Sequence, residues 1–268
     1  MKNSRIGLFS LKPIRNHQST PNCTRLLVFA LLAVLAPSSH AECEMYKMLD
    51  LPPINVPKLA MHGNTAAAFV PAQWRLVDKV ESDFNGDKLA DLALVIVGTD
   101  PRNIFKHDCP ESPDLEDVDA NPHGLIVALR QQGGYRRVAQ DFVLIPRPQS
   151  MENDQPYDSL AVKKGVLHLV YNDNPSWRPR VDTRTYLFRF EKGCMRLIGL
   201  EGKYLEGPYI TATVSTNFLT GKTISSSVSE HTPYSEQTHK LKSNPLYCLG
   251  NNKMPEAFKE EMGEDSFQ

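Results

Sequence analysis

The chain has 268 residues, 41% of them hydrophobic, with 30 basic against 31 acidic side chains. That length suits one sizeable β domain or two small ones, and the patterning below favours one. Without its basic N-terminal stretch the chain is acidic, which argues against nucleic acid or anionic membrane as partners, because both need a basic face.

The first segment has the form of a signal peptide. Lys2, Arg5, Lys12, Arg15 and Arg25 precede an apolar run over residues 26–36, which is too short to span a bilayer and ends in Pro37 and the small-residue sequence Ser39-His40-Ala41. Cleavage before Glu42 is expected, so residues 1–41 are a leader and the mature chain is periplasmic, with no transmembrane segment. A lipid anchor on Cys43 is disfavoured by Glu42 just before it. The leader holds five of the basic residues and none of the acidic ones, leaving 25 basic against 31 acidic residues. Such a surface suits a basic protein partner.

Four cysteines remain after cleavage: Cys43, Cys109, Cys194 and Cys248. In an oxidising compartment they imply two disulfides, in any of three pairings. No closely spaced Cys or His pair of the zinc type is present.

From residue 74 onward the chain reads as short β-type runs separated by turn residues, without helical periodicity. The strongest runs are 74–80, 89–97, 125–129, 166–171, 185–190 and 195–200. Four hairpins are expected around Gly133, Gly165, Gly193 and Gly221, joining 125–129 to 135–139, 160–162 to 166–171, 185–190 to 194–200, and 210–219 to 223–228. This regular spacing suggests an all-β domain of successive antiparallel hairpins over residues 42–250, β-propeller-like in its repetition. Residues 100–123 and 145–159 read as long surface loops, residues 45–57 as an extended proline-rich lead-in, and residues 251–268 as a polar tail.

The sharpest chemical signal is Asp83-Phe84-Asn85-Gly86-Asp87-Lys88-Leu89-Ala90-Asp91, followed at once by an apolar strand. Alternating oxygen-bearing residues suit a hard cation: the side chains of Asp83, Asn85, Asp87 and Asp91 and the backbone carbonyl of Leu89 supply oxygens to Ca2+. The bland alternative is a polar turn using Asp, Asn and Gly for turn propensity alone. It is no EF-hand, because the twelfth position is Leu94 and the flank is strand-like.

This nonapeptide and its strand resemble the calcium loop of FG-GAP, or integrin-type, β-propeller repeats, with Asp83, Asn85, Asp87 and Asp91 at the liganding places. Lys88 stands where glycine is common, and only one such loop is present. A wider resemblance rests on Trp74, Thr185-Tyr186-Leu187-Phe188-Arg189-Phe190, Leu197-Ile198-Gly199 and Ser215-Thr216-Asn217-Phe218-Leu219-Thr220-Gly221. These look like exported bacterial proteins related to periplasmic lysozyme inhibitors, and are similar to immunity proteins against lysozyme-like effectors of type IV secretion systems. The resemblance implies a calcium-bearing β fold that blocks a peptidoglycan hydrolase and is not itself an enzyme.

Such an inhibitor needs a loop that fills a saccharide cleft carrying catalytic carboxylates. Tyr171, Ser176, Trp177, Arg178 and Arg180 suit that task, arginines pairing with carboxylates and aromatic rings filling sugar subsites. An ordinary hairpin loop is the alternative reading, and a Ser/Thr-rich stretch from 223 to 229, with His231 beyond, is a second candidate. Enzymatic signals are poor. Thr220-Gly221-Lys222-Thr223 lacks the first glycine of a phosphate loop, and no Gly-x-Ser-x-Gly or His-Glu-x-x-His occurs. The acidic stretch Asp108, Glu111, Asp114, Glu116, Asp117 and Asp119, flanked by His107 and His123, reads as a solvated loop rather than a second ion site. The main alternative function is a calcium-stiffened envelope binding or adhesion module.

Overall fold

Type I′ turns set the spacing of the sheet, because the positive φ they demand at both central residues matches strand twist. Lys164 and Gly165 have φ of 53° and 75°, and Lys192 and Gly193 have 50° and 82°. Each pair closes a two-residue hairpin, with Lys163 opposite Val166 and Glu191 opposite Cys194.

The computed structural model describes residues 48–107, 116–151, 156–173, 180–206, 209–229, 232–241 and 247–251, all within the compact unit Ala41–Gln268. The expected leader and the polar tail from residue 252, with Cys43 and Cys109, lie outside them. The described strands are β1 (His62–Gly63), β2 (Trp74–Ser82), β3 (Asp91–Gly98), β4 (Ile104–Phe105), β5 (Val118–Asp119), β6 (His123–Gln131) and β7 (Gly134–Asp141), then β8 (Tyr157–Lys163), β9 (Val166–Asp173), β10 (Arg180–Glu191), β11 (Cys194–Glu206), β12 (Tyr209–Asn217), β13 (Lys222–Ser229) and β14 (Thr232–Lys240). The fold is all-β, and the described residues contain no α-helix.

Two antiparallel sheets carry the architecture. The first has five strands in the order β1-β7-β6-β3-β2, and the second is a seven-strand meander from β8 to β14. All four expected hairpins form. Three of them join edge to edge in one continuous open sheet, and among the described residues no closed barrel or propeller is formed.

The main core lies between the sheets. Ala93, Val95, Leu125 and Val127 of the first sheet join Leu167, Leu169, Tyr186, Phe188, Met195 and Leu197 of the second in one buried cluster. The other face of the first sheet has its own cover: Leu92, Leu94, Ile96 and Ile126 pack with Leu59, Phe69 and Phe142, and Ile54 and Trp74 lean on the same cluster. Strand β3 is therefore buried at every position, as expected of a strand that reads as an uninterrupted apolar run. Each large aliphatic side chain so buried stabilises the fold by about 1.5–3 kcal/mol.

The two stretches read as long loops are partly ordered into the fold. Between Asp100 and His123 lie a 3₁₀ turn at Pro101–Asn103, the β4–β5 pair, and the buried residues Asn103, Val118, Ala120 and Asn121. Residues 108–115 fall outside the described set. The second stretch contains the buried Ile145 and most of the entry into β8, which starts at Tyr157.

Residues 247–249 return to the core. Leu197 N–H donates to the Tyr247 carbonyl at 3.0 Å, Leu249 N–H donates to the Met195 carbonyl at 2.8 Å, and a disulfide joins Cys194 to Cys248 with Cα atoms 5.7 Å apart. Of the bridges open from sequence, Cys194–Cys248 is the one formed among the described residues.

Candidate functional site

The acidic loop joins β2 to β3, the edge strand of the first sheet to its fully buried neighbour. Its turn is made by the residue types that the sequence supplies. Asp83 accepts the N–H of Gly86 on Oδ1 at 2.7 Å and that of Lys88 on Oδ2 at 2.8 Å. Asn85 Oδ1 accepts Asp87 N–H at 2.9 Å, while Asp87 Oδ1 accepts Leu89 N–H at 2.8 Å and its Oδ2 accepts from Asn85 Nδ2 at 3.0 Å. These are Asx-type turns in succession. Gly86 and Lys88 have φ of 82° and 69°, so Lys88 occupies the left-handed conformation that glycine adopts without steric cost.

Asp91 differs from the others because it is fully buried. Its Oδ2 accepts the N–H of Phe84 at 2.8 Å, closing the loop, and its Oδ1 accepts the N–H of Arg130 at 2.7 Å, reaching the end of β6. Burial raises its pKa, the two N–H donors oppose that rise, and the charges of Asp87 and Asp83 add to it. For Asp83 burial acts in the same upward sense but is outweighed by backbone N–H donors led by Lys88 and Gly86, which hold its carboxyl below the usual range.

The loop carries Asp83, Asn85, Asp87 and Asp91 within one turn, where Asn85 and Asp87 touch each other and Asp83 and Asp91 each bond backbone amides, with Leu89 exposed between them. Their oxygens are turned to amide donors, and among the described residues no three His, Cys, Asp or Glu side chains group as metal ligands. By donor chemistry the set fits a hard divalent ion. It is all oxygen, carries three carboxylates, and holds a buried carboxylate whose nearest charges are repulsive.

The expected partner segment falls at the connection between β9 and β10, where Asp182 pairs with Asp173. Ser176, Trp177 and Arg178 lie outside the described residues, and for Arg180 only its place at the start of β10 is described. Tyr171 is corrected: it is 1% exposed, its ring stacks on Tyr186 at 5.4 Å, and its hydroxyl lies 3.3 Å from that of Tyr186. Its alternation along β9 with Leu167 and Leu169 places it on the core face, so its ring cannot reach a partner. The stretch 223–229 forms β13, which is exposed apart from Thr223 and two half-buried serines, while His231 lies outside the described residues.

Two features escaped the sequence reading. At the junction of the sheets, Tyr157 donates its hydroxyl to Asp78 Oδ2 at 2.7 Å and stacks on His123 at 5.8 Å. The His123 Nδ1 is buried without a partner, and burial pushes its pKa down to about 4, with Asp119 opposing and Arg75 adding to the shift. The three residues come from β2, β6 and β8, so no local spacing announces them. The second feature is a cleft of about 380 Å³ beside Trp74, Asn103 and Arg147, under the segment that contains Pro52 and Asn55. Asn103 donates Nδ2 to Asn121 Oδ1 at 3.1 Å, and its own Oδ1 has no partner.

Among the described residues no helix is long and apolar enough to cross a membrane. Against models of known protein families, curated proteins and solved structures, the chain has no match.

Proposed function

We propose that the chain is an exported, calcium-binding inhibitor of a lysozyme-like peptidoglycan hydrolase, an immunity protein acting in the periplasm. The observation that carries this reading is the loop Asp83–Asp91, whose composition resembles the integrin-type calcium loop and whose last carboxylate is buried at the head of the central strand β3. Ca2+ held by Asp83, Asn85, Asp87, Asp91 and the Leu89 carbonyl would offset the three carboxylates of a loop in which Lys88 is the one cationic side chain. The chain's own residues do the rest: Asp91 ties the loop to Phe84 and Arg130 and so fixes β3 against β6.

Inhibition is assigned to the connection between β9 and β10. An antiparallel hairpin offers its connection at the end of a sheet, and this one carries Ser176, Trp177, Arg178 and Arg180 in sequence. A guanidinium entering a glycosidase cleft pairs with its catalytic carboxylates, and an indole occupies a sugar subsite. The test is lysis of peptidoglycan by lysozyme-family enzymes with and without the purified chain and calcium. Stoichiometric loss of lysis that Trp177→Ala and Arg178→Ala relieve supports the assignment, and undiminished lysis across the panel overturns it.

A second reading, a calcium-stiffened envelope binding or adhesion module, is favoured by the largely exposed strands β13 and β14, rich in Ser and Thr, which offer area for contact. Binding to envelope material with no effect on lysis distinguishes it.

A further inference from the structure

The last two strands of the meander are ordered with little burial of their own. In β13 only Thr223 is buried, in β14 no described side chain is, and Ile224, Val228 and Tyr234 are 44%, 41% and 64% exposed. A hairpin with neither face in a core is marginal by itself. Among the described residues, β14 is also the outer edge of the seven-strand sheet, with no strand on its second side.

The direction of its free hydrogen-bonding groups follows from register. Leu241 N–H donates to the Gly221 carbonyl at 3.0 Å, just beyond the Lys222–Lys240 pair. Bonded and non-bonded pairs alternate in an antiparallel ladder, so His239 and Gln237 bond inward to β13 while Lys240, Thr238 and Glu236 turn their N–H and C=O groups outward. Pro233 does not interrupt this row, since it falls in the irregularity between the Ser227–Ser235 and Ser229–Thr232 pairs.

We propose that this edge is a homodimer interface, in which β14 pairs antiparallel with β14 of a second copy about a two-fold axis at Thr238. Outward residues then face outward residues. Thr238 lies opposite its own copy, and Glu236 lies opposite Lys240 of the other chain, twice by symmetry. Sliding by one register step toward the start of the strand sets Glu236 against Thr238 and Tyr234 against Lys240, which loses both opposite-charge pairs; one step the other way sets Thr238 against Lys240 and Glu236 against Lys242, so the central register is the one that keeps both charge pairs within β14. The row is complementary to itself, and an isologous contact needs nothing else. Thr213, Ser226, Ile224 and Glu236 share one face, as the 2.8 Å contact between the Thr213 and Ser226 hydroxyls and the pairing of Ser226 with Glu236 require. That face becomes continuous across the seam.

Sedimentation velocity of the purified chain over a concentration series tests the proposal. The expected result is a reversible shift to twice the chain mass. Glu236→Lys sets like charges opposite each other and weakens the dimer about tenfold or more, and Glu236→Lys combined with Lys240→Glu restores it. Thr238→Pro removes the central outward N–H, which makes no bond to β13, and leaves the chain a monomer with an unchanged circular dichroism spectrum. A single chain mass at every concentration overturns the proposal. So does a dimer indifferent to Glu236→Lys, or a failure of the double exchange to recover it.

Discussion

Asp91 accepts the backbone N–H of Arg130 at 2.7 Å, a bond between residues 39 apart in sequence. The same carboxylate accepts Phe84 N–H, so one buried side chain satisfies amides on both flanks of β3. Asp91→Ala leaves both amides unsatisfied, and the expected loss is about 2–4 kcal/mol of stability, read from urea unfolding. A loss under about 0.5 kcal/mol would show that water replaces the carboxylate there.

Calcium stabilises the chain if the loop holds it. At a free concentration 100-fold above the dissociation constant, a single site adds about 2.7 kcal/mol. The Tm should rise on adding calcium and fall on adding chelator. In Asp87→Ala, which loses only exposed contacts to Asn85 and Leu89, that increment disappears. Equal melting temperatures in calcium and chelator would remove the metal from the loop.

Lys88 sits at φ 69°, where a Cβ is unfavourable. Lys88→Gly is expected to stabilise the chain by about 0.5–1 kcal/mol, the steric relief exceeding the added freedom of the unfolded chain. An unchanged or lower Tm would place the Lys88 side chain among the loop's stabilising contacts.

The depressed pKa of His123 sets a pH dependence. The unfolded imidazole titrates near 6.5 and the folded one at about 4. Above pH 6.5 both are neutral and His123 imposes no proton-linked penalty; as pH falls from 6.5 to 4, the unfolded chain takes up the proton first and stability is lost, by about 3 kcal/mol at most. His123→Phe should flatten the fall in unfolding free energy between pH 6.5 and 5, a window above most carboxylate titration. An identical slope in the variant would show that His123 is solvated.

The Cys194–Cys248 bridge closes a separation of 54 residues. Loop-closure entropy assigns it about 4 kcal/mol, and Cys194→Ala with Cys248→Ala should lose most of that. Denaturant unfolding of the double variant measures it, and a loss under about 1 kcal/mol would mean that the Leu197–Tyr247 and Leu249–Met195 bonds hold the segment unaided.

The meander was legible because its turns are chemically unambiguous: Lys164-Gly165 and Lys192-Gly193 can only be tight reversals between β-branched and aromatic runs. Strand β14 was not, since an edge exposed on both faces selects no apolar alternation, and Thr232-Pro233-Tyr234-Ser235 reads as loop. The acidic loop was legible as a turn down to its donor residues. Its tie to Arg130 was hidden, because a backbone amide leaves no trace in the side-chain sequence. Tyr171 was misplaced for a simpler reason. It continues the alternation of Leu167 and Leu169 along β9 onto the core face, but its place near the strand end made it read as part of the connection that follows.

The return of Tyr247 and Leu249 to β11 sets an order of assembly. Both belong to the core shared by the two sheets, yet they emerge from the ribosome after every strand described here. A nascent chain halted before residue 247 holds all fourteen strands and still lacks part of its interior, with Cys194 awaiting its partner. Completion of this interior therefore waits on the segment that follows the last described strand.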